Sequence, residues 1–191
     1  MRSWARFLIC GAAGLLVGAG GALWSVRTGT TGSSAPIGPW TTGRDFGSAD
    51  ASARTRAIVA FAGLLALPSR EARYYLANVD DAGQPLDGRC AYKVTGGEGG
   101  GAWWSLTLYD LDGYLVGNGP RIFSINSAAV APADHGAWTV NVAPTAQPGR
   151  WLPTGGIDRF NLTLRIYLPA DGGKANLTRA QLPRIAKQGC A

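Results

Sequence analysis

The stretch Asn161-Leu162-Thr163-Leu164-Arg165-Ile166-Tyr167-Leu168 puts Leu162, Leu164, Ile166 and Leu168 on one side of an extended chain. Asn161, Thr163, Arg165 and Tyr167 fall on the other side. Alternation sustained over a whole segment is the signature of a half-buried β-strand, whose successive side chains face opposite sides of a sheet. Working outward, Trp104, Leu106 and Leu108 alternate in the same way with Ser105, Thr107 and Tyr109. Further β-branched or aromatic runs lie at Tyr74-Tyr75-Leu76, Ala91-Tyr92-Lys93-Val94, Tyr114 to Val116, Arg121 to Asn126 and Trp138 to Val142. Asp81-Ala82-Gly83, Gly96 to Gly101 and Asp110-Leu111-Asp112-Gly113 punctuate them as turns. Short strands at this spacing predict a mainly β fold, an antiparallel β-sandwich or jelly roll.

The N-terminal third reads differently. Residues 7–26 carry no charge and are long enough to cross a hydrocarbon core. Arg2 and Arg6 precede them, which favours a cytoplasmic N-terminus, and Trp4 and Trp24 sit near the two ends as interfacial residues do. The segment is either a transmembrane anchor or a cleaved signal peptide with Gly20-Gly21-Ala22 at the cleavage site. Continuation of the apolar run through Leu23 and Trp24 favours the anchor. Both readings export the rest of the chain, and the anchor reading places it as a single-pass protein of a bacterial inner membrane with its C-terminal domain in the periplasm. The expected organisation is an anchor over 1–27, a flexible Gly/Ser/Thr/Pro tether over 28–47, and an exported β domain over 48–191 opened by a helix at 48–67. Ser48 or Asp50 would cap that helix and Pro68 would end it. Its apolar part, Ala57 to Leu67, is too short to span a bilayer.

Composition excludes several function classes. The chain has 191 residues with one His and three Cys, which rules out zinc-finger, iron–sulfur and multi-histidine metal sites. The formal net charge of +6 looks like a nucleic-acid signal, but Arg2, Arg6 and Arg27 flank the apolar segment. From Thr28 onward 15 basic residues stand against 12 acidic ones with no basic run, so nucleic acid is not an expected partner. Cys90 and Cys190 are the two exported cysteines, and an oxidising compartment makes their pairing the expectation, with Cα atoms about 4.4–6.8 Å apart.

Several ordered motifs carry a family resemblance. Asp87-Gly88 leads to Tyr92, and Trp104-Ser105-Leu106-Thr107-Leu108-Tyr109-Asp110 follows. Asn118-Gly119-Pro120-Arg121, Trp151-Leu152-Pro153 and Leu164-Arg165-Ile166-Tyr167-Leu168-Pro169 complete the set. Together, over Leu67 to Pro169, they resemble the domain of unknown function 1214 family, in a short membrane-anchored bacterial form. Arg150 stands where the family usually has Asn, and Gly119 separates Asn118 from Pro120 where the family usually has Asn-Pro. The resemblance implies a jelly-roll-like β-sandwich and brings no established activity. It also implies a partner, because relatives often carry a second domain that this chain would meet as a separate protein.

The chemistry-bearing residues are few. Gly97-Glu98-Gly99-Gly100-Gly101-Ala102 matches a dinucleotide fingerprint in letters, yet it opens into the strand-like Trp103-Trp104-Ser105-Leu106 instead of a helix, so it reads as a loop. His135 is the only imidazole available as a base, and no Gly-x-Ser-x-Gly elbow accompanies it. Asp80, Asp81, Asp110 and Asp112 lack the spacing of a calcium cage and suit turns. What remains is a polar strand face with Ser105, Thr107, Tyr109, Arg165 and Tyr167, with Asn118, Arg121 and Trp151 expected at its rim. A guanidinium among hydroxyls suits a carboxylate, phosphate or sugar. The expectation is a membrane-anchored periplasmic binding or accessory module without catalysis, cofactor or metal. The alternative is an envelope enzyme acting on a carbohydrate or a small acidic substrate.

Overall fold

In the computed structural model, which describes residues 3–27, 34–43, 48, 51–61, 66–130 and 136–190, the two alternating segments are neighbouring strands. Strand β5 (Gly101–Tyr109) pairs antiparallel with β9 (Asn161–Pro169), with Ser105 opposite Arg165 and Leu106 opposite Leu164. They form the centre of a six-stranded sheet ordered β1-β2-β3-β9-β5-β6, built with β1 (Ser34–Ile37), β2 (Trp40–Gly43), β3 (Ala72–Ala77) and β6 (Ser124–Asn126). A second sheet is ordered β10-β4-β7-β8, from β4 (Cys90–Gly96), β7 (Trp138–Ala143), β8 (Trp151–Pro153) and β10 (Arg184–Cys190). Its β7–β8 pair is parallel, so the second sheet is mixed and the all-antiparallel expectation is corrected there.

The sheets share one core. Tyr75, Leu106, Leu162, Leu164 and Ile166 from the first join Tyr92, Val94, Val140, Val142, Leu152 and Ile185 from the second, all but fully buried. Trp104 of β5 stacks on Trp138 of β7 with ring centroids 4.3 Å apart, and Tyr92 meets Phe160 edge-on at 5.9 Å. Such paired aromatics add roughly 0.5–1.5 kcal/mol each beyond their burial. Burial also pushes the Tyr75 phenol above its ordinary pKa, while its oxygen accepts from the Leu177 amide.

The turns are built by aspartates. Asp80 Oδ1 accepts from the amides of Ala82 and Gln84, and Asp110 Oδ1 accepts from those of Asp112 and Tyr114. Asp171 repeats the arrangement with Gly173 and Ala175, and these amides, Ala175 first, hold its carboxyl below the usual range. Side-chain oxygens that mimic a backbone turn in this way account for these aspartates without a cation. The glycine-rich segment 97–100 is a loop leading directly into β5.

Several local expectations change. Residues 34–43, inside the expected tether, form the β1–β2 hairpin, and β2 pairs with β3. Trp40 is the cause: it is fully buried in the core, and its indole Nε1 donates to Pro183 O at 2.8 Å. Pro36 is tolerated because β1 is an edge strand. The helix expected over 48–67 is described as α2 (Ala53–Phe61), capped by Ser52, whose Oγ accepts from the Thr55 amide at 3.1 Å. Asp50 and residues 62–65 lie outside the described residues. Tyr114 to Val116 makes only a single bridge, Leu115 to Tyr109, and Arg121 to Asn126 becomes a strand only from Ser124. Leu168 leaves the core face: its φ of 46° breaks the alternation and leaves it 62% exposed.

The C-terminal segment is strand β10, whose Cys190 stands opposite Cys90 of β4. The two form a disulfide, with Cα atoms 3.9 Å apart. That is closer than the expected range, and the two cysteines stand directly opposite each other as cross-strand partners. Ahead of the sandwich, α1 (Ser3–Arg27) is the one described helix long and apolar enough to cross a membrane. Its candidate span, Trp4–Val26, has a mean hydropathy of 1.9, and its apolar window is not buried within the chain. Its length and composition fit a membrane anchor or a signal sequence.

Candidate functional site

Because Trp104, Leu106 and Leu108 point into the core, the intervening Trp103, Ser105, Thr107 and Tyr109 face outward from the six-stranded sheet. On β9 the same rule turns Asn161, Thr163, Arg165 and Tyr167 to that face, and register sets Arg165 between Ser105 of β5 and Tyr74 of β3. Arg165 Nη1 donates to Thr107 Oγ1 at 3.2 Å, and Nη2 donates to the Tyr109 hydroxyl at 2.7 Å. The guanidinium carbon lies 5.4 Å from the Tyr109 ring centre, a cation–π contact that fixes the group from its side. Ser105, Thr107 and Thr163 are nearly buried beneath the larger side chains, whereas Arg165, Tyr109 and Tyr167 are half-buried.

Two further contacts frame the face. Tyr167 meets Trp103 edge-on with centroids 5.2 Å apart. Asn161 Nδ2 donates to Asp110 O at 2.9 Å, tying the far end of the face to the Asp110 turn. Among the described residues, Arg165 has no carboxylate partner: its hydrogen bonds to side chains use two neutral hydroxyls. A guanidinium carries five N–H donors, so two bonds leave capacity for an anionic or hydroxyl-rich ligand.

The structure brings together five of the residues singled out from sequence: Ser105, Thr107, Tyr109, Arg165 and Tyr167. It places the other three elsewhere. Asn118 is committed to its own loop, its Nδ2 donating to Val116 O and Ile122 O while its Oδ1 accepts from the Ile122 amide. Arg121 follows in that loop with φ of 58°. Trp151 belongs to β8 in the other sheet, and its Nε1 donates to Ala143 O at 3.0 Å. Thr163 and Asn161, which alternation already assigned to the Arg165 side, complete the face, and Tyr74 joins it through a register no local pattern reveals. His135 lies outside the described residues, and no cluster of metal-ligating side chains exists among the described ones.

Two surface recesses lie apart from this face. A groove of about 530 Å³ is lined by Gly38, Asp80, Asp81, Arg179 and Arg184, where the Arg179–Asp81 ion pair is part of the wall. Another of about 390 Å³ runs over the second sheet beside Lys93, Asn141 and Gln188. In the first, Asp81 Oδ1 accepts from Arg179 and its Oδ2 accepts from the Ile185 amide at the start of β10.

Comparison with known proteins agrees with this architecture. The family described as "Protein of unknown function (DUF1214)" matches residues 71–171, just over half of the chain. The crystal structure of the VPA0106 protein from Vibrio parahaemolyticus is similar in fold, with a TM-score of 0.58 and 24% identity over 73% of this chain and 36% of that one. An uncharacterised protein from Burkholderia cenocepacia is more distant, with a TM-score of 0.42 and 21% identity over 62% of this chain and 29% of that one. The chain therefore spans about a third of the length of these solved structures. No curated protein matches it in sequence.

Proposed function

The chain belongs to the DUF1214 family, and from that premise and the geometry of its outer sheet face we propose that it is a membrane-anchored periplasmic binding module for an acidic or sugar ligand. The observation that carries the reading is Arg165: a half-buried guanidinium, oriented by Thr107 and Tyr109, with no carboxylate to neutralise it among the described residues. Such a group has donors pre-aimed and little rotamer freedom left to lose, which favours recognition of a planar anion. The anchor reading draws on the length and apolarity of Trp4–Val26, and the periplasmic reading on the Cys90–Cys190 disulfide, since structural disulfides persist in oxidising compartments. Asp80 and Asp110 are occupied as acceptors of turn amides, and on this reading the module binds its ligand without turning it over. A companion domain on a separate chain is its expected partner.

Binding is tested with the full chain in detergent micelles, titrated with small carboxylates, uronic acids and matched neutral sugars and followed by NMR line shapes. Acidic members should bind, and Arg165→Gln should weaken them at least tenfold, with Tyr109→Phe giving a smaller loss. Equal affinity for neutral analogues, or no change in Arg165→Gln, would refute the assignment. Turnover of an acidic sugar that disappears in Arg165→Gln would replace the binding module by an enzyme.

A further inference from the structure

At one end of the six-stranded sheet, apolar side chains stand out of the surface. Leu168 is 62% exposed, and Trp103 and Leu67 are each 38% exposed. Register places Trp103 opposite Tyr167 and Gly101 opposite Pro169, so the start of β5 and the finish of β9 share this end. Ala72 of β3 lies opposite Tyr167, and the Leu67 amide donates to the Tyr74 hydroxyl, which brings the segment before β3 to the same place. Leu168 is turned outward by a left-handed backbone conformation that a leucine seldom adopts. Regular strand geometry would have buried it.

A short length of chain also connects this end to the anchor. Arg54 of α2 donates from Nε to Ser25 Oγ and from Nη2 to Ser25 O, both at 3.0 Å, so it binds the last turn of α1. Leu67 follows the end of α2 by six residues, a reach of at most about 20 Å. The other exposed apolar group, Leu111, Tyr114 and Leu115, lies beyond the far end of nine-residue β5, roughly 30 Å away along the strand.

We infer that the end of the sandwich bearing Leu67, Trp103, Tyr167 and Leu168 rests on the surface of the bilayer that α1 enters. The inference depends on the anchor reading above. The Trp103–Tyr167 pair has the amphipathic character that places such rings at headgroup level, and Leu67 and Leu168 supply the apolar insertion. Charge at this end is mixed, with Arg70 and Lys174 against Glu71, Glu98 and Asp171, so contact rests on apolar insertion and not on attraction to anionic lipid. Docked in this way, the Arg165 face stands directly above the headgroups, two residues up the strand from Tyr167.

The test uses the full chain labelled with 5-fluorotryptophan in zwitterionic nanodiscs, with and without lipids bearing a headgroup-level nitroxide. Trp→Phe variants assign the fluorine resonances. The resonances of Trp4, Trp24 and Trp103 should broaden, that of Trp151 should stay sharp, and high salt should change nothing. A combined Leu67→Ser and Leu168→Ser variant should reduce the Trp103 broadening at least threefold while the Trp104 and Trp138 resonances, inside the core, keep their shifts. Broadened Trp4 and Trp24 with a sharp Trp103 would overturn the docked end and leave the anchor standing. A sharp Trp24 would overturn the anchor reading and the docking together.

Discussion

Replacing Trp40 tests whether the β1–β2 hairpin is an integral part of the sandwich. Trp40 is fully buried, and its indole donates to Pro183 O at 2.8 Å, so it joins the hairpin to the segment entering β10. Trp40→Ala removes the whole ring system from the core, and large-to-small changes of this kind cost about 3–5 kcal/mol. Trp40→Phe keeps most of the apolar volume and loses the hydrogen bond. An abandoned buried carbonyl costs roughly 1–3 kcal/mol. Here the cost belongs at the low end, because Arg179 Nη1 still reaches Pro183 O at 3.3 Å. Urea unfolding of the full chain in detergent, followed by near-UV circular dichroism, gives the comparison. The Ala variant should lose about 3–5 kcal/mol, with a drop in Tm of roughly 6–20 °C for a domain of this size, and the Phe variant about a third of that. An Ala variant within about 0.5 kcal/mol of wild type, the range of an ordinary surface change, would refute the integral hairpin and restore a loose tether.

Three other perturbations follow from the same structure. The Cys90→Ser/Cys190→Ser double variant opens a loop spanning a sequence separation of 100, and loop entropy predicts a loss of about 4–5 kcal/mol in the same unfolding assay; an unchanged midpoint would contradict the crosslink. Asp87 is held down to about 2 from the ordinary 3.8, first by the side-chain hydrogen bond from Arg89. Its folded-state pKa is depressed, so its stabilisation is present above the unfolded value and is lost as pH falls through about 2. Asp87→Asn should therefore flatten the acid limb of stability between about pH 4 and 2, and high salt should mimic part of that change because the pair is partly exposed. Arg73 is buried, donating to Asn176 Oδ1 and Gly173 O while its Nε has no partner among the described residues. Arg73→Ala should speed amide exchange at Gly173 to Leu177 at least tenfold, with Arg73→Met intermediate; unchanged exchange would show that the clamp does not hold this loop.

The legible part of the fold was the part whose two sides have different fates. β5 and β9 lie at the centre of a sheet with a core on one face and a wetter surface on the other, so their sequences alternate and their pairing placed Arg165 beside Thr107 and Tyr109. The illegible strands are short or peripheral. β1 carries Pro36, β8 has three residues, and in β10 only Ile185 is buried, so no alternation develops along it. Trp40 was the available signal for the hairpin, a lone tryptophan in a Gly/Thr/Ser-rich stretch, and its burial depends on Pro183, far away in sequence. Leu168 breaks its own strand's pattern through a backbone angle that the letters do not encode. The rim residues fail for a related reason. Which sheet Trp151 joins, and which way the Asn118 loop turns, are settled by long-range pairing and by an amide that bonds its own loop.

The central claim, an anchored and exported domain, is tested most directly by the intact mass of the protein extracted from membranes and alkylated in denaturant without reduction. The account predicts a chain that retains α1, lacks two hydrogens because Cys90 and Cys190 are bonded, and carries a single alkyl group, on Cys10. A chain beginning after the Gly20-Gly21-Ala22 segment would contradict the anchor, and three alkyl groups on an intact chain would contradict export into an oxidising compartment.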